Sequence, residues 1–144
     1  MADHKTDTLI LSFNCSGLQT SQEQLTHFIK ELYNDLQQNL TALLLQECFM
    51  SYDLMMQLKI PGYRPVAASK GIIKRGKPLN RRGCVILVED SVNVQPLKER
   101  THNKVEMIGV KIIGDNNKKY EVPYELWCVY SGPYVKRIEH ASNC

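Results

Sequence analysis

The order of apolar and polar positions divides the chain into two regimes. Residues 8–13, TLILSF, are almost wholly apolar and stop at Asn14, a short continuous run that predicts a strand. Leu25, Phe28, Ile29, Leu32 and Leu36 then recur at helical spacing, with Glu23, Lys30, Glu31 and Asp35 off the stripe. That pattern predicts an amphipathic helix laid by its stripe onto a sheet. Gly17 opens the turn before it, Ser21 and Gln24 are spaced as a capping box, and Asn39 marks its end. A second apolar run, Ala42 to Leu45 within TALLLQE (41–47), predicts a strand buried on both faces, the element around which the rest is arranged. Strand, helix and strand make a βαβ unit, so the two strands are expected to run parallel with their ends together.

The pattern then shortens. Residues 51–58 read as a brief helix capped by Ser51, with Leu54, Met55 and Leu58 turned inward, and Pro61-Gly62 breaks the chain before a strand at 63–68. After Gly83 the period becomes two. Strands are predicted at 83–89, 92–97, 105–113 and 120–130, joined by polar turns such as Asp115-Asn116-Asn117. A βαβ opening followed by an antiparallel meander predicts an α/β chain with α+β-like mixed sheets, as one mixed sheet or two packed ones.

Composition changes this picture little. A chain of 144 residues, 43% hydrophobic and 23% charged, suits one globular domain. A net charge of +3 admits a polyanionic partner without demanding one. No apolar stretch approaches a membrane span and MADHKTD lacks a signal-peptide core, which predicts an intracellular protein, nuclear or cytoplasmic. Cys15, Cys48, Cys84, Cys128 and Cys144 are odd in number and form no CxxC pair, so they read as small hydrophobes rather than a zinc site or disulfide framework. His27, His102 and His140 fall in no ligand or triad arrangement. Residues 70–82 hold Lys70, Lys74, Arg75, Lys77, Arg81 and Arg82 and no acid. Such a run is a solvated face, an import signal, or a set of sequence-independent phosphate contacts.

Candidate chemistry sits where the first two strands end. Open α/β sheets place ligands beyond their strand ends, and there Asn14 and Glu47 bring two hard oxygen donors suited to a divalent cation. Their bland alternative is a turn cap and an exposed strand end. FNCSG, LLLQE, IPGYRPV, RRGCVILV, VEMIGVKI and VYSGPY, in this order, resemble the endonuclease/exonuclease/phosphatase superfamily, and within it the apurinic-type endonuclease domains of non-LTR retrotransposons. The N-x-x-G of Asn14 and Gly17 and the L-Q-E of residues 45–47 match its first two signatures.

The resemblance implies a four-layer α/β sandwich and Mg²⁺- (or Mn²⁺-) dependent hydrolysis of a DNA phosphodiester. It implies that Glu47 is the metal carboxylate and Asn14 a metal and phosphate partner. Tyr130 would be the phenol beside the phosphate, and Lys74, Arg75, Lys77, Arg81 and Arg82 the nucleic-acid contacts. Glu106 matches a position where the family often carries an acid. Cys128 stands where the family has Asn, two residues before the Tyr. Gly114-Asp115-Asn116-Asn117 resembles the family's G-D-x-N block but precedes Tyr130, and reads as a hairpin turn; Asp3-His4, like the closing Asp-His pair, is at the wrong end. With neither block after Tyr130, the expectation is the N-terminal three-fifths of such a domain over 8–134, with a flexible 1–7 and a loose tail at 135–144. Such a piece would be inactive alone, with uncovered sheet edges open to pairing and no small organic cofactor or membrane. The alternatives left open are a non-catalytic nucleic-acid- or protein-binding module of the same fold, and a phosphatase or phosphodiesterase of the same superfamily.

Overall fold

The structure, a computed structural model, describes residues 8–70, 73–74, 77–78, 83–102, 105–116 and 123–131. Three layers lie in the order helices, sheet, sheet. The chain runs β1 (Ile10–Asn14), α1 (Leu18–Leu36), β2 (Ala42–Gln46), α2 (Tyr52–Met55) and β3 (Tyr63–Ala68). It continues through β4 (Ile73–Lys74), β5 (Lys77–Pro78), β6 (Val85–Glu89), β7 (Val92–Pro96), β8 (Arg100–His102), β9 (Val105–Asp115) and β10 (Tyr124–Ser131). The first sheet has the order β1-β2-β6-β3 and the second β10-β9-β7, with β8 also pairing β9 and β4–β5 forming a separate two-stranded ribbon.

The predicted βαβ unit is present: β1 and β2 are parallel, with Asn14 level with Gln46. β2 is buried along both faces for the reason its sequence gives, an apolar residue at every position from 42 to 45. Leu43 and Leu45 point into a helix-side cluster with Leu18, Leu25, Ile29, Met55, Leu58 and Val85. Ala42 and Leu44 point into an inter-sheet cluster with Ile86, Val88, Ile108, Val110 and Ile112.

Several local expectations are corrected. The helix starts at Leu18 behind Gly17, so Ser21 and Gln24 form no capping box. Its first N–H groups are taken instead by β2's continuation, Gly17 N–H donating to Glu47 O (2.8 Å) and Leu18 N–H to Cys48 O (3.0 Å). The Ser21 hydroxyl, one turn inside, donates back to Gly17 O (3.1 Å). The helix ends at Leu36 rather than Asn39, on Gln37 in the left-handed conformation with its N–H on Tyr33 O. Phe28 and Leu36, expected on the buried stripe, are 41% and 51% exposed because they flank the narrower line of contact with the sheet. Ser51 does cap α2, accepting from Leu54 N–H, but a helix of four residues buries only one face, and Leu54 is exposed.

The strand reading holds with shifted ends, β4, β5 and β8 being additional. β9 extends through Asp115, whose carboxylate is buried and accepts from Ser91 Oγ (2.9 Å), so Gly114-Asp115 belongs to the strand end rather than wholly to the turn. Asn117, the tail at 135–144 and residues 1–7 lie outside the described residues.

The two sheets are unequal in width. Ile10 faces the inter-sheet side, as its level neighbour Ala42 does, yet Ile10 is 40% exposed where Ala42 is fully buried. β10 lies beneath β2, so β1 overhangs the second sheet. No helix among the described residues is long and apolar enough to cross a membrane.

Candidate active site

The strand ends converge. Leu45 of β2 is level with Val85 of β6, which is level with Ala68 of β3. The chain therefore leaves β2 at Glu47, leaves β3 at Ser69 and enters β6 from Gly83, all along one rim. Cys48 N–H donates to Gly83 O (3.0 Å), and Ser69 and Cys84 exchange two bonds, Ser69 N–H to Cys84 O (2.9 Å) and Cys84 N–H to Ser69 Oγ (3.0 Å). Gly83 holds φ +116° with Met50 O 3.2 Å from where a Cβ would stand, a position that requires glycine.

Onto this rim β10 brings Tyr130. Its hydroxyl donates to Glu47 Oε1 at 2.7 Å, joining the second sheet to the first. Two sequence-predicted site residues 83 positions apart are thus in direct contact. Asn14 ends the neighbouring strand, and its Oδ1 accepts from Ser16 N–H (3.1 Å) and Ser16 Oγ (3.3 Å), an Asx turn. Cys15 N–H donates to Gln46 O (2.8 Å), which fixes the Asn14 end beside the Glu47 loop. Ser16, Glu47 and Phe49 all adopt positive φ (46°, 51° and 56°), so three non-glycine residues in left-handed backbone surround the site.

Glu106 sits level with Tyr130 across the β9–β10 pair and is 1% exposed, which makes it part of the inner wall of the site rather than a solvent-facing strand residue. Gln46 carried no expectation of its own. Its Nε2 donates to Ser12 Oγ (3.1 Å), Leu44 O (3.2 Å) and Cys128 Sγ (3.4 Å), bridging β1, β2 and β10 under the rim. The signal was the period of two, which sets Gln46 on the same inner face as Leu44.

Four cysteines lie buried here, as small hydrophobes should. They are also paired. Cys48 hydrogen-bonds Cys15, and that bond with burial pushes the Cys48 thiol up; Cys84 hydrogen-bonds Cys128, and that bond, burial and the neighbouring Glu106 push Cys84 up. Cys128 shifts the other way, its thiol pushed down by the bond from Cys84 against its burial, with Gln46 Nε2 adding to the effect. Cys15 and Cys48 each follow a polar residue at the end of one of two parallel strands, and that pattern is the signal that could have found the first pair.

Among the described residues no group of three or more His, Cys, Asp and Glu is arranged to hold a metal ion. The donors at the rim are one carboxylate and one amide, a set compatible with a largely hydrated Mg²⁺, which takes one or two protein carboxylates. Of the basic stretch, Lys74 and Lys77 are level with each other in the β4–β5 ribbon, while Arg75, Arg81 and Arg82 lie outside the described residues. The stretch leaves and rejoins the sheet at Ser69 and Gly83, on the Glu47 rim. No protein-family model matches the chain, and no curated protein matches it.

Proposed function

We propose that this chain carries the metal- and phosphate-binding part of a phosphodiesterase site acting on DNA, in an incomplete four-layer sandwich of the endonuclease/exonuclease/phosphatase type. The observation that carries the reading is the 2.7 Å bond from Tyr130 to Glu47 at a rim shared with the Asn14 strand end. The helix–sheet–sheet order is compatible with three of the four layers. Glu47 would hold the cation through its carboxylate, which the Tyr130 hydroxyl steadies. Asn14, whose Oδ1 is engaged by Ser16, would offer its amide N–H groups to a phosphate oxygen. A bound Mg²⁺ or Mn²⁺ would supply polarisation of the phosphoryl oxygen and stabilisation of the leaving oxyanion. Lys74, Arg75, Lys77, Arg81 and Arg82 supply salt-sensitive backbone contacts from the segment rooted at the same rim.

Residues 131–144 hold no G-D-x-N or Asp-His block; general acid–base help from such groups is worth about 10²–10⁴ in rate. Mn²⁺ added to the isotopically labelled chain is expected to broaden the amide signals of Asn14, Glu47 and Tyr130, and to leave them sharp in Glu47→Gln. Supercoiled plasmid is expected to be bound in a salt-dependent way and nicked negligibly. Broadening that survives Glu47→Gln rejects the metal assignment. Salt-dependent DNA binding without any Mn²⁺ effect selects the non-catalytic module.

A further inference from the structure

The two flanks of the sandwich are built differently. On one, β3 carries Pro65 with a register shift between Pro65 and Ala67, and β7 carries Pro96 with a shift between Asn93 and Val94. Proline and bulges are the devices by which edge strands refuse a further partner. On the other flank β1 (ILSFN) and β10 (YELWCVYS) each pair regularly with one neighbour among the described residues, and contain no proline, no bulge and one charge between them. Ile10 and Phe13 of β1 are 40% and 38% exposed. This flank has the marks of an edge meant to be paired.

Its shape says with what. β1 overhangs the second sheet by one strand, so the flank is a step. Cys128 lies against Leu45 and Gln46, and Tyr130 against Glu47, so β10 runs toward the same rim as β2 and β1. A step whose protruding and recessed strands run the same way is complementary to itself under rotation about an axis parallel to the strands. We infer that two copies of this chain associate about such a two-fold axis, β1 of each adding in parallel to β10 of the other. The product is two continuous sheets, each with four strands from one copy and three from the other. Ile10 then meets the partner's Ile10 across the axis, which buries the apolar underside of the overhang. The only charge on either strand, Glu125, sits at the far end of β10 and opposes uncharged β1. The rim of Asn14 and Glu47 falls at the same end in both copies. The inference stands on edges and topology and is independent of the catalytic reading.

Light scattering on the purified chain at tens of micromolar is expected to give twice 16.5 kDa. Ile10→Lys and Ile10→Glu, each at a position already partly exposed, are expected to weaken dimerisation at least tenfold. Mixing the two variants is expected to restore the dimer, because the opposite charges meet at the axis. Gln95→Lys on the guarded flank is expected to change nothing. In the wild-type chain alone, amide exchange in β1 and β10 should slow as concentration rises while β3 and β7 stay unchanged. A monomeric wild-type chain, a dimer indifferent to both Ile10 changes, a mixture that stays monomeric, or concentration-independent exchange in β1 and β10 each overturns the proposal.

Discussion

The helix-side interior and the inter-sheet interior share β2 as their common wall yet differ in kind. The helix side packs Leu18, Leu25, Leu43, Leu45, Met55, Val85 and Leu87, and its polar groups include the Tyr63 hydroxyl on Leu40 O (2.8 Å) and the Cys15–Cys48 thiols at the rim. The inter-sheet side is aliphatic at its centre but ends in Glu106, Tyr130, Gln46 and the Cys84–Cys128 pair. One layer supplies stability; the other lets a polar constellation form between sheets that bring its members from distant parts of the chain. Polar side chains gather where two sheets open, and apolar ones where a helix closes one.

The sharpest way to break that contrast is a truncation on the helix side. Leu45→Ala, at a fully buried position, is expected to cost about 2–5 kcal/mol in urea unfolding. It should leave the Tyr130–Glu47 contact intact in whatever fraction remains folded. A loss under 1 kcal/mol would mean that this layer is not the packed core described.

Next comes alkaline unfolding. Cys48, Cys84 and the buried Tyr63 all have proton affinities raised by folding, Tyr63 through burial and the nearby Glu89. These three groups thus hold their protons more tightly in the folded chain, while Cys128, pushed down by the bond from Cys84, acts with the opposite sign below the unfolded thiol pKa. Stability is fully present below the unfolded thiol pKa of about 8.5 and falls above it, by on the order of 1.4 kcal/mol per pH unit for each thiol, with Tyr63 adding its share above about 10. Urea titrations at pH 7, 9 and 10 measure the slope. Cys84→Ala and Cys48→Ala should each reduce it, one from each interior, and an unchanged slope in both would remove the thiols as its cause.

The smallest effect tests the link between sheets. Tyr130→Phe and Glu47→Gln in a double-mutant cycle should show a coupling of about 0.5–1.5 kcal/mol, as befits a partly exposed hydrogen bond to a carboxylate. The same cycle run with Leu45→Ala in place of Tyr130→Phe should show additivity.

Much of the architecture was legible because it rests on period. The 42–45 run, the α1 stripe and the alternation after Gly83 all report which faces meet apolar neighbours. The start of α1 was not. A Ser and a Gln at the right spacing suggested a cap, but the Gly17 and Leu18 N–H groups found carbonyls at Glu47 and Cys48, residues about thirty positions away that no local rule contains. At the site, Asn14 and Glu47 were legible as the ends of parallel strands. Tyr130 entered only through a resemblance, because its contact depends on how one sheet lies across another. Gln46 and the thiol pairs went unread for the same reason: each looks ordinary along the chain and acquires its role from β10.

Glu47 owes its position to a backbone twist that ordinary side chains resist, about 1–2 kcal/mol for a left-handed residue. Glycine would sit there at ease and would erase the acid. Any drift toward a hardier fold therefore removes the very group the rim displays.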